Sequence, residues 1–181
     1  MAGQRRGRRS WFNRVKMNRG NNVSARERFF KKVQQSSKNI TSGNTSVEAE
    51  IVEFCERLEG LAQQIIEWFA GTSIEVTLSR QYLHDLSTLG YSLSSGICRY
   101  EIATILLQNG ERSVSIVPEQ LFRAGETGCV RMRVEAPDFR EVFYLSMAPE
   151  AGWFIRREFQ SIKERALLTE ERFFVAVDRL A

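Results

Sequence analysis

The chain has 181 residues, with 26 Lys+Arg against 22 Asp+Glu and a formal net charge of +4. Residues 1–47 hold 12 of the basic residues and one acid, Glu27, giving +11; residues 48–181 hold 14 basic and 21 acidic residues, giving −7. A uniformly basic protein is therefore excluded, and the length suits one domain with an appendage better than two domains.

The predicted organisation is a basic, mostly disordered arm and linker over 1–46 and a single acidic α+β domain over 47–181. Arg5, Arg6, Arg8 and Arg9 open the arm as a doubled cluster around Gly7. Trp11, Phe12, Arg14, Lys16 and Arg19 then interleave aromatic and basic residues. Ser24-Ala25-Arg26-Glu27 has the spacing of a capping box, which predicts a short helix from about Ala25 to Gln35 that includes Lys31 and Lys32. Ser36 to Ser46, rich in Ser, Thr, Asn and Gly, reads as a flexible linker.

The body opens with its clearest element. Thr45 or Ser46 caps a predicted helix running to Ala70, and Gly71 ends it. Ile51, Phe54, Leu58, Leu61, Ile65 and Trp68 recur at spacings of three and four, widened by Cys55, Ala62 and Phe69. Such a stripe points to a helix packed on a domain core ahead of a coiled-coil seam. Ile74 to Leu78 alternates like a strand, and Tyr82, Leu83, Leu86 and Leu89 suggest a short helix over Arg80 to Leu89. From Ile97 onward the period is that of strands. Arg99 to Gln108 leads into the hairpin signal Asn109-Gly110, and Ser113 to Val117 returns and stops at Pro118. Cys129 to Glu135, Glu141 to Met147 and Trp153 to Phe159 follow as strands. Ser161 to Leu168 reads as a helix or an irregular connection, and Thr169 caps a final helix with Phe173, Phe174, Val177 and Leu180. The expectation is an antiparallel meander of four to five strands packed with an N-terminal and a C-terminal helix.

Recognisable catalytic sets are missing. His84 is the single histidine, so a nucleophile has one candidate base and a metal has too few nitrogen ligands. Gly125-Glu126-Thr127-Gly128 lacks the lysine and following helix of a phosphate loop. Three scattered cysteines, Cys55, Cys98 and Cys129, make neither a disulfide framework nor a zinc set. The expectation is a protein that is not an enzyme and takes no cofactor. No apolar run approaches the ~20 residues of a spanning helix, and no apolar stretch follows the N-terminal arginines as a secretory signal requires. Cytoplasmic placement follows as the expectation, or an organelle if the arm is a transit peptide.

The arm carries the most specific signal. Cationic residues gain affinity for nucleic acid by releasing its counterions, and arginine adds planar bidentate phosphate contacts. Trp11 and Phe12 suit stacking on unpaired bases. The predicted nucleic-acid-binding residues are Arg5, Arg6, Arg8, Arg9, Trp11, Phe12, Arg14, Lys16, Arg19, Lys31 and Lys32, with Arg131 and Arg133 extending the track onto the sheet. RNA or a single strand is favoured over sequence-specific duplex DNA. Arg99, Arg112, Arg140, Arg156 and Arg157, near Tyr100, Tyr144 and Trp153, would enlarge that patch if strand register gathers them. The competing reading is a protein-interaction, adaptor or chaperone-like module whose arm targets it or lies on an anionic membrane. Its predicted partner is a second copy or another protein bound through the 47–70 helix.

Overall fold

The computed structural model describes residues 25–89 and 98–181. The chain divides into two units, Met1–Lys38 and Asn39–Ala181. Helix α1 spans Ala25–Trp68. It replaces the predicted pair of short helix and Ser36–Ser46 linker with one uninterrupted helix. The segment contains no proline, so every backbone donor the helix needs is present. Past Trp68, the Phe69 and Ala70 amides donate to Ile65 O and Glu67 O.

Seven strands follow: β1 (Glu75–Asp85), β2 (Cys98–Asn109), β3 (Arg112–Arg123), β4 (Glu126–Ala136), β5 (Phe139–Met147), β6 (Trp153–Arg157) and β7 (Ala166–Leu167). They form one antiparallel sheet in sequential order, and helix α2 (Glu170–Ala176) closes the fold. The predicted α+β meander with a helix at each end is what the structure has, with seven strands in place of four to five. Thr169 caps α2 by accepting from the Arg172 amide at 3.2 Å.

Five local readings are corrected or refined. The segment Arg80–Leu89 is not a helix: β1 pairs with β2 without interruption from Glu75 to Asp85, and a 3-10 turn covers Leu86–Thr88. Arg80 breaks the apolar alternation on the helix-facing side of β1, where its guanidinium meets Glu59 of α1 at 2.5 Å. Strand β3 does not stop at Pro118. Its pairing with β2 ends at Ile116, and its register with β4 shifts between Pro118 and Gln120. A strand with one neighbour and a bulge tolerates the missing donor. Strand β6 ends at Arg157, before the exposed Phe159. Ser161–Leu168 resolves into a 3-10 turn, Ile162–Glu164, and the two-residue β7. The Asn109-Gly110 hairpin forms with its loop one residue later than the dipeptide suggests. Asn109 pairs with Arg112, so Gly110 and Glu111 make the turn, and positive φ at Gly110 alone (60°) is the type II′ pattern.

The core lies between α1, α2 and one face of the sheet. Phe54, Leu58, Leu61, Ala62 and Ile65 are buried, as the α1 stripe requires, and Ile51, Cys55 and Trp68 pack around them. Burying each of the larger side chains contributes roughly 1.5–3 kcal/mol. Ile105, Leu107, Val114, Ile116, Val130, Met132, Val134, Phe143 and Leu145 face them from β2 to β5. At the far end of α1, Trp68 and Phe69 meet Phe173 and Phe174, with ring centroids 5.3 to 6.3 Å apart. No helix among the described residues is long and apolar enough to cross a membrane.

Candidate nucleic-acid interface

Arg5, Arg6, Arg8, Arg9, Trp11, Phe12, Arg14, Lys16 and Arg19 lie outside the described residues, while Lys31 and Lys32 belong to the N-terminal part of α1. Arg131 and Arg133 both belong to β4. Side chains alternate along β4, so Val130, Met132 and Val134 enter the core while Arg131 and Arg133 stand on the opposite face. Register then assembles two rows across the sheet. Val117, Arg131, Tyr144 and Arg156 are successive cross-strand partners on β3 to β6, and Ser115, Arg133 and Val142 form the adjacent row.

The first row is densely paired. Arg123 and Arg131 both form ion pairs with Glu119. Arg156 holds Glu126 through two parallel bonds of 3.0 Å and donates a third to Gln160 O at 3.2 Å. The Arg123 and Arg156 guanidinium carbons lie 5.0 and 4.8 Å from the Tyr144 ring centre, within cation–π range. Arg123, Arg131 and Arg156 against Glu119 and Glu126 leave this row a net +1, and Arg133 in the adjacent row brings the patch to +2. Arg156 is bidentate with a buried carboxylate, so its charge belongs to the fold. Arg133 differs. Among the described residues it has no ion-pair partner, and its buried Nε has no hydrogen-bond acceptor. With Arg131, Ser115 and Val117 it lines a small hollow of about 130 Å³.

The other arginines of the predicted patch do not join it. Arg99 lies over the Tyr82 ring at 4.1 Å, Arg140 pairs with Glu135 at 2.8 Å, and Arg157 pairs with Glu141 at 3.1 Å. Arg112 lines a separate hollow beside Arg179 and Ala181. Trp153 is in the core, and the Tyr100 hydroxyl donates to Asp85. Glu119, Arg123 and Glu126 lie outside the strands that the sequence predicts, which stop at Pro118 and resume at Cys129, but inside β3 and β4 of the structure. The glycines there have another purpose. Gly128 has φ +63°, and an added Cβ would meet Met147 at 2.5 Å.

Beneath the arginine cluster, Cys129 is buried, and loss of water around it pushes its thiol up to about 12. Burial raises Cys55 as well, with Glu59 adding to the effect. Thiolate, the reactive form, is then scarce at neutral pH. In the folded protein, alkylation at pH 8 followed by mass spectrometry is expected to leave Cys129 unmodified until denaturant is added. Modification of Cys129 at the rate of a free thiol would contradict this placement.

Elsewhere, the residues of chemical interest are dispersed. His84 is exposed on β1 while its neighbour Asp85 is buried on the other face of the strand. No group of three or more His, Cys, Asp or Glu side chains among the described residues is arranged to hold a metal ion. No protein-family model matches the chain, and no curated protein or solved structure matches it either.

Proposed function

We propose that this chain is a non-enzymatic nucleic-acid-binding protein, acting through an arginine-rich arm on RNA or another single strand. The carrying observation is the segregation of charge: 12 basic residues and one acid over 1–47, with Trp11 and Phe12 set between arginines, against a body of −7. Arg5, Arg6, Arg8, Arg9, Arg14, Lys16 and Arg19 hold phosphates, Trp11 and Phe12 stack, and Lys31 and Lys32 extend the track. Arg133 and Arg131 offer a second, weaker contact on the sheet, with Arg133 the more available because Arg131 is shared with Glu119.

The test is a salt titration of binding to single-stranded RNA and to duplex DNA. Neutralising eight duplex phosphates gives a slope of log K against log salt of about −7, and a shallower one on a single strand. Replacing the arm arginines with serine is expected to remove most of that slope, and Arg133→Ser to reduce it by about 1. A flat salt response, or binding that survives loss of the arm charges, would overturn the proposal. The protein-interaction reading draws on a different observation, the exposed Val52, Ile66, Leu78 and Tyr82. A protein partner retained at high salt without nucleic acid would favour it.

A further inference from the structure

A sheet edge presents a row of unpaired backbone donors and acceptors, and monomeric proteins blunt such edges with short strands, prolines or bulges. The two edges of this sheet differ. Strand β7 is blunted by its length of two residues. Strand β1 runs 11 residues, contains no proline and pairs with β2 without a bulge; among the described residues its outer side pairs with no strand. It is a long, regular, open edge.

Among the exposed side chains of β1, Leu78 and Tyr82 are large hydrophobic ones, while Glu75, Thr77, Ser79, Arg80 and His84 are polar or charged. Val76, Leu78, Arg80 and Tyr82 share one face of β1 by strand alternation, and Arg80 on that face reaches Glu59 of α1. Leu78 and Tyr82 are nonetheless 39 % and 60 % exposed. On α1, Val52, Glu59 and Ile66 recur every seven residues and so share a stripe. Val52 is 55 % exposed and Ile66 37 %. The open edge therefore carries two exposed large side chains, Leu78 and Tyr82, with Arg99 against one face of the Tyr82 ring.

The geometry points to a second copy of this chain as the occupant, joined through antiparallel pairing of two β1 edges about a twofold axis. The charge pattern excludes one register and permits a second. With Arg80 on the axis, the two Arg80 side chains oppose each other and Glu75 faces Asp85, placing like charges together. With Ser79 on the axis, Val76 faces Tyr82, Leu78 faces Arg80 and Thr77 faces Gln81, each pair occurring twice. Leu78 and Tyr82 of the two copies then become diagonal neighbours, within reach of a tyrosine ring. No like charges oppose in that register, and the row covers itself. A self-complementary patch of this kind is what a twofold interface requires.

The mass of the full chain, nuclease-treated and in high salt to exclude bridging by nucleic acid, is the first measurement. Light scattering is expected to give about 42 kDa, twice the 20.9 kDa of one chain. The double variant Leu78→Lys/Tyr82→Lys is expected to halve that mass while keeping the parental circular dichroism spectrum. Should it fail to fold, cysteine variants keep the register testable. Ser79→Cys places two thiols on the axis and should yield a covalent dimer under mild oxidation, whereas Gln81→Cys should yield no more than the parent. A monomeric parent, a dimeric double variant, or equal crosslinking of the two cysteine variants would overturn the inference. It stands apart from RNA binding, so either can fail alone.

Discussion

Asp85→Ala is expected to cost the domain about 3–5 kcal/mol, because it strips a buried acceptor from several donors at once. Asp85 Oδ2 accepts from the Leu121 amide and the Tyr100 hydroxyl, both at 2.6 Å; Oδ1 accepts from the Ser87 amide at 3.0 Å and the Ser87 hydroxyl at 2.5 Å. Ser87 Oγ in turn accepts from the Phe122 amide at 3.0 Å. One carboxylate thus joins the end of β1, the turn after it, β2, and the part of β3 beyond its pairing with β2. Leu121 is fully buried, so its amide has no water to turn to. Burial raises the Tyr100 hydroxyl above its ordinary range, with the Asp85 bond adding to the effect, so it remains a donor at neutral pH. Asp85→Asn keeps the shape and separates hydrogen bonding from packing. Either orientation of the amide turns its NH2 toward a backbone N–H, so most of the loss should persist. Tyr100→Phe removes one charge-assisted bond and should cost about 1.5–3 kcal/mol. Urea unfolding with an unchanged slope would measure all three; a loss under 1 kcal/mol for Asp85→Ala would refute the account.

Glu126→Ala should be comparably severe, at about 3–5 kcal/mol, because it leaves a guanidinium buried without its counter-charge. The Glu126 and Arg156 side chains are only 2 % and 10 % exposed. The hydrogen bonds to Glu126 hold Arg156 more strongly protonated than usual, against the opposing effect of burial. Replacing both, Glu126→Met with Arg156→Met, removes the two desolvation penalties together and should recover much of the loss. Recovery stays incomplete because Arg156 also lies over Tyr144 and donates to Gln160 O. Denaturation midpoints for the single and double variants complete the cycle, and a double variant as unstable as Glu126→Ala would show that the pair is not the source.

The two residues behind these predictions were differently visible in the sequence. Asp85 stands beside His84, the single histidine, and the strand sends the two side chains to opposite faces. Glu126 lies in Gly125-Glu126-Thr127-Gly128, which the sequence marks only by what it lacks as a phosphate loop, and only pairing of Tyr144 with both Arg131 and Arg156 shows what the neighbourhood holds. The stripe Phe54, Leu58, Leu61, Ile65, by contrast, was readable because helical spacing depends on neighbours a few positions away. The Thr169 cap and the Asn109-Gly110 turn were readable for the same reason.

The sequence by itself determined the charge division, the core-facing stripe of α1, the meander character of the body and the capped C-terminal helix. Each follows from local periodicity, local backbone chemistry or composition. Tertiary structure decided the rest. It extended β1 through a segment with helical spacing, because pairing with β2 outweighs local preference, and carried β3 past Pro118 where a neighbour was missing. It gathered Arg131 and Arg156 around Tyr144 while dispersing Arg99, Arg112, Arg140 and Arg157. Among the described residues, it also left the outer side of β1 without a strand partner. Register and edge position are relations between distant strands, and no window along one chain contains both partners.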